Sequence, residues 1–152
     1  MNNSRHPIQL QELIINKLSV VINDHERALS YQGDVSMSIM CGKSGFSEDD
    51  GVSVGIRVKV EPGAKEVLES VEAVNGCDPA FLLEVELSGH FTVDVSKFKK
   101  DNIDAWSRIN APFLLLPYVR EHVYGLASRA GIRGIIIPLF VQPGTENLVK
   151  QD

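Results

Sequence analysis

The sequence predicts an α+β fold: a four-stranded antiparallel sheet followed by a long amphipathic helix. Three observations carry this prediction. Apolar and polar residues alternate in several runs before residue 96, the period of strands with one covered face. Segments rich in Gly, Pro, Asp and Ser separate those runs. After residue 96 the apolar spacing changes to that of a helix, bounded by Pro117 and Gly131.

The elements follow in order. Residues 13–22, LIINKLSVVI, read as a half-buried strand with Ile14, Leu18, Val20 and Ile22 on one face and Lys17 and Ser19 on the other. Residues 23–34 are polar and turn-rich but contain Leu29 and Tyr31. The second strand alternates Val35, Met37, Ile39 and Cys41 against Ser36, Ser38 and Met40, and the glycines and acids of residues 42–51 make a loop. The third is the strongest, with Val52, Val54, Ile56, Val58 and Val60 at every second position until Pro62-Gly63 ends it. A solvated stretch with some helical potential, residues 64–76, leads to the fourth strand. There Phe81, Leu83, Val85 and Leu87 oppose Leu82, Glu84, Glu86 and Ser88, and Gly89 interrupts the alternation as a bulge or bend would.

A short helix is expected around residues 101–109, with Ile103 and Trp106 one turn apart. Pro117 fits the first turn of the long helix, where its missing N–H costs nothing, and Gly131 fits its C′ position. Between them Val119, Val123, Leu126 and Ala130 form one stripe, while Tyr118, Glu121, His122 and Gly125 lie on another face. Such a helix covers one face of a sheet and leaves Phe113, Tyr118 and the leucines of residues 114–116 in surplus for a monomer. An exposed cluster of that kind marks an interaction surface, so an oligomer is expected.

Composition narrows the function classes. The 152 residues suit one domain spanning 1–152, long enough to bury roughly 70% of the surface an unfolded chain exposes. Fifteen basic against 20 acidic residues, a net charge of −5, argue against a nucleic-acid partner, whose phosphates need neutralising. The N-terminus has no apolar signal region and no apolar run is long enough to span a bilayer, so a cytoplasmic protein without membrane insertion is expected. Cys41 and Cys77 match no ligand spacing and are expected to be reduced.

Chemical motifs are weak. Gly42-Lys43-Ser44 resembles the end of a phosphate-binding loop, but position 37 is methionine where that motif needs glycine, and an acidic loop follows. The histidines, His6, His25, His90 and His122, have no metal-ligand spacing, and no metal or cofactor is expected. His122 beside Glu121 fails as a base and its orienter, because helix neighbours point apart. No nucleophile signature is present, so catalytic residues are not expected. In residues 135–141, IIIPLFV, the reading divides between a buried segment and an apolar surface that accepts other chains. There Pro138 acts as a break against uncontrolled edge pairing.

Two segments resemble the SecB export-chaperone family. FLLEVELSGHFTVDV carries the family's F-L-x-E-V strand and G-x-F turn at Phe81–Val85 and Gly89–Phe91. APFLLLPYVREHVYGLASRAGI carries its L-x-P-Y-x-R-E helix at Leu115–Glu121, with Ser128 and Arg129 near the end. The strand over residues 52–60 is similar to the family's third strand, and Tyr31 falls where the family has an aromatic before its second. The likeness covers about residues 13–141 and leaves a short polar C-terminal tail.

The resemblance implies an ATP-independent chaperone, a holdase that binds unfolded or precursor polypeptides in apolar grooves, as in protein export. By position the client groove is Leu29 and Tyr31 with Ile135, Ile136, Ile137, Leu139, Phe140 and Val141, and Met37 and Met40 add adaptable surface. Within residues 135–141, alternation puts Ile135, Ile137 and Leu139 on one side and Ile136 and Phe140 on the other, so that one set is structural. A homotetramer, a dimer of dimers, is implied. Its expected interface combines Leu83, Val85 and Leu87 with Tyr118, Glu121, His122 and Gly125.

Leu82 and Glu84 match a motif that docks the motor SecA in export members. Two departures weigh against that docking: Lys17 stands where an acid is expected, and only nine residues follow Pro143. The alternative is a dedicated chaperone of an antitoxin in a toxin–antitoxin system, with the same groove and a different partner. An enzyme of unknown chemistry is the competing class, and turnover abolished by a single substitution would favour it.

Overall fold

The computed structural model describes residues 4–63 and 78–137. Four strands, β1 (Ile8–Ile22), β2 (Val35–Lys43), β3 (Val52–Pro62) and β4 (Phe81–Val93), form one antiparallel sheet in the order β1-β4-β3-β2. The short helix α1 (His25–Leu29) lies between β1 and β2. A 3-10 turn, Lys100–Asn102, leads into α2 (Ile103–Ile109) and the long α3 (Ala111–Arg129).

The two central strands match the sequence expectation. Val52, Val54, Ile56, Val58 and Val60 of β3 and Phe81, Leu83, Val85 and Leu87 of β4 are all at most 2% exposed. They meet Leu115, Val119, Val123 and Ala127 of α3, spaced four residues apart on one helix face. Leu126 and Ala130, expected in the buried stripe, flank it and are partly buried. Trp106 of α2 packs edge-on against Phe91, with ring centroids 5.2 Å apart, and Ile103 is buried beside the same core.

The first strand departs from expectation. It begins at Ile8, and its register against β4 shifts between Leu10 and Glu12 and again between Ile15 and Lys17. Each shift inserts a residue and reverses the alternation beyond it. Ile8, Leu10, Leu13, Ile15, Leu18, Val20 and Ile22 therefore share the helix side, opposite the core residues of β4. Ile14 pairs with Ser88 and falls on the other face with Lys17 and Ser19. No single period of two runs through such a strand, which is why its first residues and the side of Ile14 were not legible.

Gly89 is not the bulge; the bulges are on β1. Gly89 pairs regularly with Val54 and Leu13. A Cβ there would stand 2.7 Å from Leu115 Cδ2 and 3.0 Å from Leu10 Cδ1. The missing side chain seats the first turns of α3 on the sheet, a close-approach role for glycine in a strand.

The long helix starts before Pro117. Pro112 takes the first-turn position, and Pro117 lies inside the helix. An interior proline removes one hydrogen bond, here to the Phe113 carbonyl, at a cost of about 3 kcal/mol. Burial of Leu115 and Leu116 contributes about 1.5–3 kcal/mol each, which offsets that cost and carries the helix through. At the far end Gly131 has φ +82°, with Ile132 N donating to Ala127 O at 2.9 Å and Gly131 N to Ser128 O at 3.1 Å. These two bonds form the Schellman termination that a glycine at C′ permits.

Residues 23–34, read as polar turns, contain α1. Asp24 caps it by accepting from Arg27 N at 3.0 Å. The stretch read as having helical potential, residues 64–76, lies outside the described residues.

Candidate functional site

The segments brought together at one end of α3 are α1 with its following loop and the chain leaving the helix. Asn23 N and Asp24 N both donate to Ala80 O, at 2.9 and 3.2 Å, which ties the start of α1 to the start of β4. Ala28 is fully buried, and its neighbour Leu29 is 51% exposed. Leu29 Cδ2 would stand 2.8 Å from a Cβ at Gly131, so the two segments touch where α3 ends.

Tyr31 forms a fixed wall. Its ring meets Phe81 edge-on at 5.4 Å. Its hydroxyl donates to Asp34 O and accepts from Gly63 N at 3.1 Å, which joins the start of β2 and the end of β3, at one end of that pair, to the ring. Between this wall and the chain after the helix lies an open cleft of about 620 Å³, bounded by Leu29, Tyr31 and Gly33 on one side and Gly131, Arg133 and Ile135 on the other. A second cleft of about 390 Å³ flanks the other side of the same segment, against Tyr124 and Ser128.

The sequence-predicted groove residues divide. Leu29, Tyr31 and Ile135 line the larger cleft. Ile135 and Ile137 are 3% and 2% exposed and belong to the core, whereas Ile136 between them is 66% exposed. Leu139, Phe140 and Val141 lie outside the described residues. Met37 packs at the core margin. Met40, opposite Arg57 on the uncovered face, is exposed and is not brought to the cleft.

Of the expected oligomer contacts, Leu83, Val85 and Leu87 are fully buried beneath α3 and offer no surface to a partner. Tyr118, Glu121, His122 and Gly125 lie away from the buried stripe of α3 and are exposed or half-exposed. Leu114, one of the leucines expected in surplus, and Tyr124, which sequence reasoning did not single out, are 51% and 60% exposed on the same helix. Leu114 falls four residues before Tyr118 and eleven before Gly125, so one outward stripe contains them all. A Cβ at Gly125 would meet nothing closer than Arg129 Nη2 at 4.0 Å. Packing within the chain therefore does not require glycine there, and a helix-interior glycine costs about 1 kcal/mol relative to alanine.

Leu82 and Glu84 lie on the sheet face away from α3. Glu84 is nearly buried there among charges: Lys17 Nζ is 2.8 Å from its Oε2 and Arg57 Nε is 3.8 Å from its Oε1. Arg57 also pairs with Glu86 at 2.9 Å. The hydrogen bond from Lys17 holds the Glu84 carboxyl below the usual carboxylate range against the opposing effect of burial. Lys43, in the phosphate-loop look-alike, ends β2 and pairs with Asp104 at 2.7 Å. Among the described residues no group of His, Cys, Asp and Glu could hold a metal, and no helix is long and apolar enough to cross a membrane.

Comparison with known proteins places this geometry. The structure is similar to a Mycobacterium tuberculosis SecB-like chaperone in complex with a ChAD peptide from the HigA1 antitoxin. The TM-score is 0.66 at 13% identity, over 90% of this chain and 93% of that one. At that identity the likeness establishes the fold. A Streptococcus agalactiae protein of unknown function aligns with a TM-score of 0.44 at 13% identity, over 87% of this chain and 97% of that one. No curated protein matches the sequence. The family profile for preprotein translocase subunit SecB matches residues 2–142. With every described residue inside that match, the chain belongs to the SecB family of chaperones.

Proposed function

We propose that the protein is an ATP-independent holdase that binds non-native polypeptides along the cleft between Tyr31 and residues 131–137. The observation that carries this reading is the convergence of Leu29, Tyr31 and the chain after α3 on one open cleft. An extended client contributes main-chain hydrogen bonds and alternate side chains there, and affinity accumulates over several weak sites on one chain. The structural neighbour's bound ligand is an antitoxin peptide, which supports a polypeptide as the ligand class.

The functional unit on this reading is a homotetramer, with the stripe from Leu114 to Gly125 meeting partner helices and Gly125 permitting close approach. Light scattering at micromolar concentration reads the assembly directly; a monomer would count against it.

A second reading concerns the partner. Lys17 and Arg57 neutralise Glu84 on the uncovered sheet face, so the one carboxylate matched to the motor-docking motif is already engaged within the chain. This favours a dedicated client such as an antitoxin over general export. On that view calorimetric titration of the native chain with SecA gives weak or no binding, and Lys17→Glu strengthens it. Tight binding of SecA by the native chain would restore the export reading.

Ile136 and Ile135 separate a binding role from a packing role. Ile136→Ser should leave stability within about 0.5 kcal/mol of native, as at exposed sites generally. It should weaken binding of an unfolded client by about 1 kcal/mol or more, because apolar contact area is lost. Ile135→Ser should cost about 2–5 kcal/mol of stability. Urea denaturation and suppression of client aggregation measure the two effects; equal losses of stability in both variants would contradict the cleft assignment.

A further inference from the structure

The two clefts beside the end of α3 share the segment from Gly131 to Ile135. Arg133 lines both of them, and it is the sole Asp, Glu, Lys or Arg on either wall among the described residues. The chain carries 20 acidic and 15 basic residues, so a wall with one cation and no carboxylate departs from its overall charge. Arg133 is exposed, and no carboxylate of the described residues pairs with it.

The backbone around Arg133 is equally open. No main-chain hydrogen bond ties residues 133–137 to other described residues. Ile135 and Ile137 anchor this stretch in the core while Arg133 and Ile136 face outward. Main-chain groups without a partner among the described residues, held beside buried neighbours, can pair with a chain laid along them. Three positions of chain reach at most about 10 Å, and the turn at Gly134, with φ +77°, brings Arg133 and Ile136 nearer than that.

We infer that Arg133 selects clients by charge: the extended segments that occupy these clefts carry an acidic side chain within about three residues of an apolar one. The carboxylate meets the guanidinium, for which a planar two-pronged donor is well suited, and the apolar residue covers Ile136. This inference rests on the clefts being the client site and adds the chemistry of the client. A lysine in place of the acid leaves two cations facing each other, so the same contact also rejects basic segments.

Three fluorescein-labelled unstructured peptides test it, identical except for Glu, Gln or Lys at one position among apolar residues. Fluorescence anisotropy with the full-length chaperone should rank them Glu, Gln, Lys in falling affinity. Each step should be about two- to five-fold at low salt, the range for a largely exposed pair, and smaller at higher ionic strength. Arg133→Gln should level the ranking and Arg133→Glu should invert it, with circular dichroism of both variants unchanged. Equal affinity of the native chain for all three peptides, or a ranking that survives in both variants, would overturn the inference while leaving the clefts as the client site. Apparent affinity that falls as chaperone concentration rises would assign the clefts to a second copy and also overturn it. Binding of none of the peptides would remove the client-site reading itself.

Discussion

One helix on a four-stranded sheet is the constraint from which the rest follows. The 19 residues of α3 make a rod roughly 28 Å long and about 10 Å wide. Four strands roughly 4.8 Å apart need nearly twice that width covered. The helix therefore lies over β4 and β3, where Gly89 and the alternating apolar residues let it settle, and the outer strands keep apolar surface. Ile15 and Leu18 of β1 point to the helix side yet remain 45% and 40% exposed. Ile39 of β2 is 39% exposed for the same reason.

The same constraint shapes the functional end of the molecule. Because α3 stops at the margin of the sheet, the chain leaving it through Gly131 must cover the remaining core itself. It does so with Ile132, Ile135 and Ile137, which are all buried. A segment pinned by Ile135 and Ile137, with no main-chain partner among the described residues, carries Arg133 and Ile136 outward beside the cleft. The cleft is thus a by-product of how the core is closed. Tyr31, locked by Phe81 and by its two hydroxyl bonds, keeps the opposite wall in place without a client present.

The parts of the fold legible in the sequence were those governed by one uninterrupted period. β3 and the first half of β4 alternate cleanly, and both central strands lie where that pattern put them. β1 was half legible, since two inserted residues reverse its faces. The start of α3 was misplaced because a first-turn proline is the common case, and Pro117 is tolerated inside the helix only through tertiary burial that no local pattern reveals. The pairing of Leu29 and Tyr31 with residues 135–141 came from family resemblance; of that segment the structure brings Ile135 to the same cleft, beside Gly131. The split between Ile136 and its neighbours was legible from alternation alone. Met40 was named for its side-chain type, not its strand side, and it lies on the uncovered face away from the cleft. Arg133 carried no signal in sequence: an isolated arginine becomes informative only once the described residues around it in the fold prove to include no carboxylate.

The central claim is that polypeptide is held between Tyr31 and the chain after α3. Hydrogen–deuterium exchange of the native chaperone, with and without a stoichiometric unfolded client, tests it most directly. The account predicts slowed exchange at the amides of residues 133–137, which have no main-chain partners among the described residues, and in residues 29–33 along the facing wall. Client-dependent protection confined to the uncovered sheet face around Leu82 and Glu84, with residues 133–137 unchanged, would contradict it.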